Sequence, residues 1–163
     1  MISIEDPLPD DAGEIFFVQR QTWHESYLDQ VSHEEIEHRF TDAPSNIDRI
    51  KKIIEGKING KFFVARDKDQ DKIMGFISLL TQPRNEINSF YVIQEVQGIG
   101  IGRKLLKRAL DWYGPEEVFV KSDDVLAFYE KFGFKQTKKT LNTEGCFPDM
   151  TELVRSAQST TLG

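Results

Sequence analysis

The spacing of apolar and polar positions changes about a third of the way along the chain. Before Gly60, Ile15, Val18, Thr22 and Trp23 fall at helical spacing, followed by Ile36 and Phe40, then Ile47, Ile50 and Ile54. Start and stop signals frame these sets. Asp11 with Glu14 has capping-box spacing, Ser32 with Glu35 repeats it, and a third helix runs from about Ser45 to a stop at Gly56. A short leading strand and three helices are therefore predicted for this third.

Beyond Gly60 the residues favour strands. Lys61–Arg66 and Ile73–Leu80 flank the charged turn DKDQDK and read as a hairpin, and Glu86–Ile93 reads as another strand. The glycine-rich turn Gln97–Gly102 leads into a helix over Arg103–Tyr113, with Leu105, Leu106, Ala109, Leu110 and Tyr113 on one face and Gly114-Pro115 after it. A strand at Glu117–Lys121, a helix at Asp123–Phe132 stopped by Gly133, and strands at Phe134–Leu141 and Met150–Arg155 complete the chain. Strand, helix, strand implies a right-handed parallel crossover beside an antiparallel hairpin. The expected class is α+β with a mixed sheet, as one domain over residues 1–163 whose polar tail, 156–163, frays.

Composition narrows the function classes. A net charge of −6 disfavours generic nucleic-acid binding, and no apolar run approaches the ~20 residues that span a bilayer. The acidic, proline-broken start is unlike a targeting peptide, so a soluble cytoplasmic protein is expected. One cysteine, Cys146, excludes an internal disulfide and any multi-cysteine metal site. His24, His33 and His38 show no metal-ligand spacing and read as a solvated helix face, so no metal is expected.

The glycine turn is the strongest chemical signal. Unpaired amides at the start of a helix, with the helix dipole behind them, bind anions, and glycines let those amides approach closely. Arg103, Lys104, Lys107 and Arg108 follow at once. A structural turn with a basic solvated face is the plainer alternative. The P-loop pattern fails because Gly102 is followed by Arg103-Lys104-Leu105, and the dinucleotide fingerprint fails because Arg103 stands at its third glycine. Gln97, Gly100 and Gly102 do fill Q-x-x-G-x-G. Together with the later AFYEKFGF, this resembles the GNAT superfamily of acyl-CoA-dependent N-acyltransferases, over nearly the whole chain.

The resemblance implies acetyl-CoA as acyl donor, with Phe90, Tyr91 and Val92 on a bulged strand along its pantetheine arm. It also implies that the Val92 amide polarises the thioester carbonyl. Gln97 and the turn Gly98, Ile99, Gly100, Ile101, Gly102 and Arg103 would hold the pyrophosphate. Ser122 stands where the family often has a cofactor-contacting asparagine, and Gln94 where it has a proline. Tyr129 matches the signature tyrosine that protonates the leaving thiolate; on periodicity alone it is a core aromatic beside Val125, Phe128 and Phe132. Glu86 resembles a general base, with a strand-end carboxylate or an ordered water chain as the alternatives. Trp23, Tyr27 and Phe40 would wall the acceptor pocket, with core packing as their default.

The implied activity is transfer of an acetyl group to a primary amine by direct attack on the thioester. Residues 1–60 hold 6 basic and 13 acidic residues, a net of −7, and this acidic third favours a cationic acceptor such as a polyamine-like amine or a basic peptide. A solubilising surface explains the same charge. An acyl-CoA sensor without catalysis and a nucleotide-binding regulatory domain remain as alternatives. The expected partner is the small-molecule or peptide acceptor, with no nucleic acid or membrane, and a homodimer is left open.

Overall fold

The computed structural model describes residues 1–27, 29, 31–123, 125–141 and 150–158, so Cys146 and its loop lie outside the described residues. Seven strands form one sheet: β1 (Ile2–Glu5), β2 (Lys61–Asp67), β3 (Lys72–Leu80), β4 (Glu86–Val92), β5 (Val118–Ser122), β6 (Lys135–Leu141) and β7 (Met150–Arg155). Their order is β1-β2-β3-β4-β5-β7-β6. Every pairing is antiparallel except β4 with β5, which α4 (Ile101–Tyr113) joins as a parallel crossover. The α+β class with a mixed sheet is borne out.

The apolar run of β2 is continuous because both faces of the sheet are covered. Phe63 and Ala65 point to a core built on Leu105, Leu106 and Ala109 of α4. Phe62 and Val64 point to the opposite core, with Ile15 and Phe16 of α1 (Ala12–Tyr27) and Ile50 and Ile53 of α3 (Ala43–Ile54). Each such side chain taken fully from water contributes about 1.5–3 kcal/mol. The short helix α2 (His33–Arg39) carries buried Ile36.

Local signals succeed and fail for identifiable reasons. Ser32 caps α2 as expected, its hydroxyl accepting from the Glu35 amide at 3.2 Å. Asp42 caps α3, which begins two residues before Ser45. Asp11 and Glu14 do not form the expected capping box. Asp11 accepts from the Leu8 amide and from Arg66 Nη2, while Glu14 accepts from the Ile73 amide at 2.6 Å. Tertiary partners have taken both carboxylates. The helix expected at Asp123–Phe132 shrinks to α5 (Leu126–Glu130), because β5 runs on through Ser122 and the chain bends before Val125.

Candidate active site

The sheet opens where β4 and β5 part. They pair at only two positions, Glu86 with Phe119 and Ile87 with Val120. Just beyond, β4 bulges: Leu79 faces Ile87 and Ser78 faces Ser89, so Asn88 is extra. The resulting cleft, about 540 Å³, is lined by Glu86, Phe90, Tyr91, Val92, Gln97, Ser122 and Tyr129, all expected site residues. Thr22, Ser26 and Tyr27 of α1 close one end.

The glycine turn sits at the cleft's edge, directly after Gln97. Gly98 and Gly100 have φ of 88° and 89°, a left-handed backbone that L side chains rarely adopt. Gly100 is the N-cap of α4, which begins two residues earlier than the sequence indicates because buried Ile101 packs into the core. The first bond into the helix runs from the Lys104 amide to the Gly100 carbonyl at 3.1 Å, leaving the amides of Ile101, Gly102 and Arg103 ahead of the ladder. Gln97 has an unforeseen partner: its side-chain amide donates to the Val92 carbonyl at 3.0 Å and so braces the end of β4.

Tyr129 fits both of its readings. It is 5% exposed, its ring lies 6.3 Å from that of Phe90 and 5.6 Å from that of Phe134, and it lines the cleft. Glu86 is more constrained than a solvated strand end. Arg84 donates to its Oε1 from Nε at 3.0 Å and Nη2 at 2.7 Å, and reaches Glu152 at 2.9 Å. Lys121 lies 3.7 Å from the other oxygen. Tyr91 accepts from the Trp23 indole N–H at 3.0 Å, and burial pushes its hydroxyl above the ordinary tyrosine range.

A smaller pocket, about 220 Å³, lies between α1, α2, α3 and the sheet. Trp23 and Phe40 wall it as expected, whereas Tyr27 lines the larger cleft. Asn88 and Ser89 line both.

A profile of the acetyltransferase (GNAT) domain family matches residues 27–151. The chain belongs to the GNAT acetyltransferases. Solved structures agree on the fold. PaiA N-acetyltransferase from Thermoplasma acidophilum, solved with coenzyme A, is 21% identical at a TM-score of 0.74, covering 96% of this chain and 99% of that one. A protein described as histone acetyltransferase HPA2 and related acetyltransferase from Corynebacterium glutamicum is 14% identical at 0.73, covering 99% of each chain. Ribosomal-protein-S5-alanine acetyltransferase from Vibrio fischeri is 19% identical at 0.69, covering 96% and 93%.

In this GNAT acetyltransferase the sequence missed three arrangements. Arg84 could be placed beside Glu86 only once β7 supplied Glu152. Tyr113, at the end of α4, donates its hydroxyl to the Leu80 and Glu86 carbonyls at 2.6 and 3.0 Å, fixing where β4 begins. The histidines set aside as solvated are partly gathered: ligand atoms of His24, His33 and Glu37 lie within 4.8 Å of one another. Glu37 is already engaged by Arg20 at 2.9 Å and His24 at 2.7 Å. Among the described residues, no helix is long and apolar enough to cross a membrane.

Proposed function

We propose that the protein transfers the acetyl group of acetyl-CoA to a primary amine by direct attack on the thioester. The observation that supports this most is the parting of β4 from β5 at the Asn88 bulge, with Tyr129, Glu86 and Gln97, the residue that leads into the glycine turn, around the opening. The free edge of β4 offers backbone groups to the pantetheine arm, and the amides of Ile101, Gly102 and Arg103, with the Arg103 and Lys104 charges, suit a pyrophosphate.

The chemistry needs two proton movements. The acceptor's ammonium, ordinarily near pKa ~10.4, loses a proton, and its nitrogen lone pair then attacks the thioester carbon. The Val92 amide is the donor that stabilises the oxyanion in this reading. The C–S bond breaks, the departing thiolate takes a proton from Tyr129, and the phenolate recovers one, directly or through water, from the nitrogen that becomes the amide. Glu86 accepts the amine's proton directly or through water, using the oxygen that Arg84 leaves unengaged. No covalent enzyme intermediate is required.

The charge split of the sequence favours a cationic acceptor, but the pocket beside the bulge does not support that choice. Arg39 and Arg49 line it, and among the described residues no carboxylate does. Several acids of the first third are engaged by other groups: Glu37 by Arg20, Glu5 and Asp11 by Arg66, and Glu25 by the Gln94 amide. The reading is therefore a primary amine without a requirement for further positive charge.

The sensor alternative draws on the double grip of Arg84 on Glu86, which restrains the carboxylate read here as the base. Calorimetry with acetyl-CoA and ATP, followed by turnover with an amine panel, tests the readings. Binding of acetyl-CoA but not ATP, with amine-dependent release of CoA, is expected. Binding without turnover by any amine supports the sensor, and ATP binding supports the nucleotide domain.

A further inference from the structure

The smaller pocket has a charge opposite to that of the chain's first third. Its cationic side chains are Arg39 from α2 and Arg49 from α3, and aromatic side chains, Trp23 and Phe40 among them, form its walls. Lys61 also borders the pocket, but its ammonium pairs with Asp6 and lies 5.0 Å from the Phe63 ring on the opposite face of the sheet; Arg39 lies over the Trp23 ring at 4.8 Å. Arg49 has no ion-pair partner among the described residues. The acids on either side of it in sequence are paired with other cations: Asp48 with Lys52 at 2.8 Å and Glu55 with Lys57 at 3.3 Å. Both arginines are exposed where they line the pocket, and two positive charges around one space attract an anion.

Position and size extend the argument. Because Asn88 and Ser89 line both pockets, a molecule seated in the smaller one reaches the bulge of β4, beside the cleft. A volume of about 220 Å³ lies below the roughly 300–1,000 Å³ of ordinary ligand pockets, which suits a small molecule rather than a peptide.

We infer that this pocket is an anion subsite for the acceptor: a small amine bearing a carboxylate or phosphate, the anion held by Arg39 and Arg49 and the amine directed to Asn88 and Ser89. The arginine fork suits either anion, and the aromatic walls take the carbon skeleton. Surrounding cations also favour the neutral amine over the ammonium, which is the form that attacks. The inference rests on the acetyl-transfer reading for the amine's direction, but the anion site itself can be measured without turnover.

The test is calorimetry on the whole protein, with and without CoA. The paired probes are 4-aminobutanoate and its amide, O-phosphoethanolamine and ethanolamine, and phenylalanine and its amide. At least one anion should bind tenfold or more tightly than its neutral partner, and Arg49→Glu should erase that preference while CoA affinity stays within twofold. The inference is overturned if every neutral partner binds as well as its anion, or if the preference survives both Arg49→Glu and Arg39→Gln. Turnover of the same probes separates the two claims. An anion bound through Arg49 but never acetylated ends the transfer reading and keeps the subsite. A neutral amine acetylated without any anion preference ends the subsite and keeps the transfer reading.

Discussion

Trp23 and Tyr91 join the two pockets: the indole lines the smaller one, the phenol lines the cleft, and the indole N–H donates to the phenol oxygen at 3.0 Å. A shift of α1 is thereby felt on β4. Trp23→Phe keeps an aromatic wall but removes the donor, a loss of about 1 kcal/mol. KM for the amine should rise about fivefold while acetyl-CoA affinity holds. Steady-state kinetics with calorimetry checks this, and an unchanged KM would show that the bond does not organise the acceptor side.

Tyr129 is packed among Phe90, Phe128 and Phe134, so Tyr129→Phe removes a hydroxyl without disturbing the ring. Turnover should fall ~10²-fold with acetyl-CoA affinity nearly unchanged. Native turnover in the variant would return Tyr129 to a purely structural role.

The glycines of the turn should differ in a way their spacing does not reveal. A Cβ on Gly100 meets nothing within 4 Å, but φ of +89° makes any side chain there strained, by about 1–2 kcal/mol. A Cβ on Gly102 makes ordinary contacts of 3.7 Å with Phe90 and 3.8 Å with Phe128, inside a helix where alanine is favoured by about 1 kcal/mol. Gly100→Ala should weaken acetyl-CoA binding and lower Tm, whereas Gly102→Ala should keep binding within a few-fold and hold or raise Tm. Equal effects in calorimetry and thermal melts would contradict a site built on the Gly100 backbone.

Much of this fold is legible because it rests on local pattern. Phe62–Ala65 announces a strand buried on both faces, and the Leu105–Tyr113 spacing announces the helix across it. The site is legible where residues are adjacent along the chain, as from Gln97 to Arg103. What stays hidden is assembled from distant elements. Arg84 needs Glu152 from β7, and the cationic pocket draws its charges from α2 and α3. Charge counted along the first third cannot show direction, and here Glu37 turns toward Arg20 and Glu5 and Asp11 toward Arg66, while Arg39 and Arg49 line the smaller pocket. Periodicity around Tyr129 overextends α5 for a related reason: Ser122 and Asp123 are drawn to the cleft wall instead.

Acid stability should report the Arg66 cluster. Hydrogen bonds from Lys68 and Arg66 hold the Glu5 carboxyl at about 2, below the usual 4.5. A depressed carboxyl stabilises the fold above its unfolded value and loses that contribution as pH falls through the folded one. Glu5→Gln should therefore be less stable than the parent by about 1–2 kcal/mol at pH 6, with the gap closing between pH 4.5 and 2. Urea melts across that range measure it; a constant gap would place the effect in packing rather than ionisation.

The most direct test follows both products of one reaction. With acetyl-CoA and a panel of amines, thiol release is recorded while mass spectrometry reads the amine. Acetyl transfer predicts free CoA and N-acetylated amine in equal amounts, with both rates falling together in Tyr129→Phe. Tight acetyl-CoA binding with no acetylated amine from any member of the panel, or thiol release indifferent to the amine, would contradict the account.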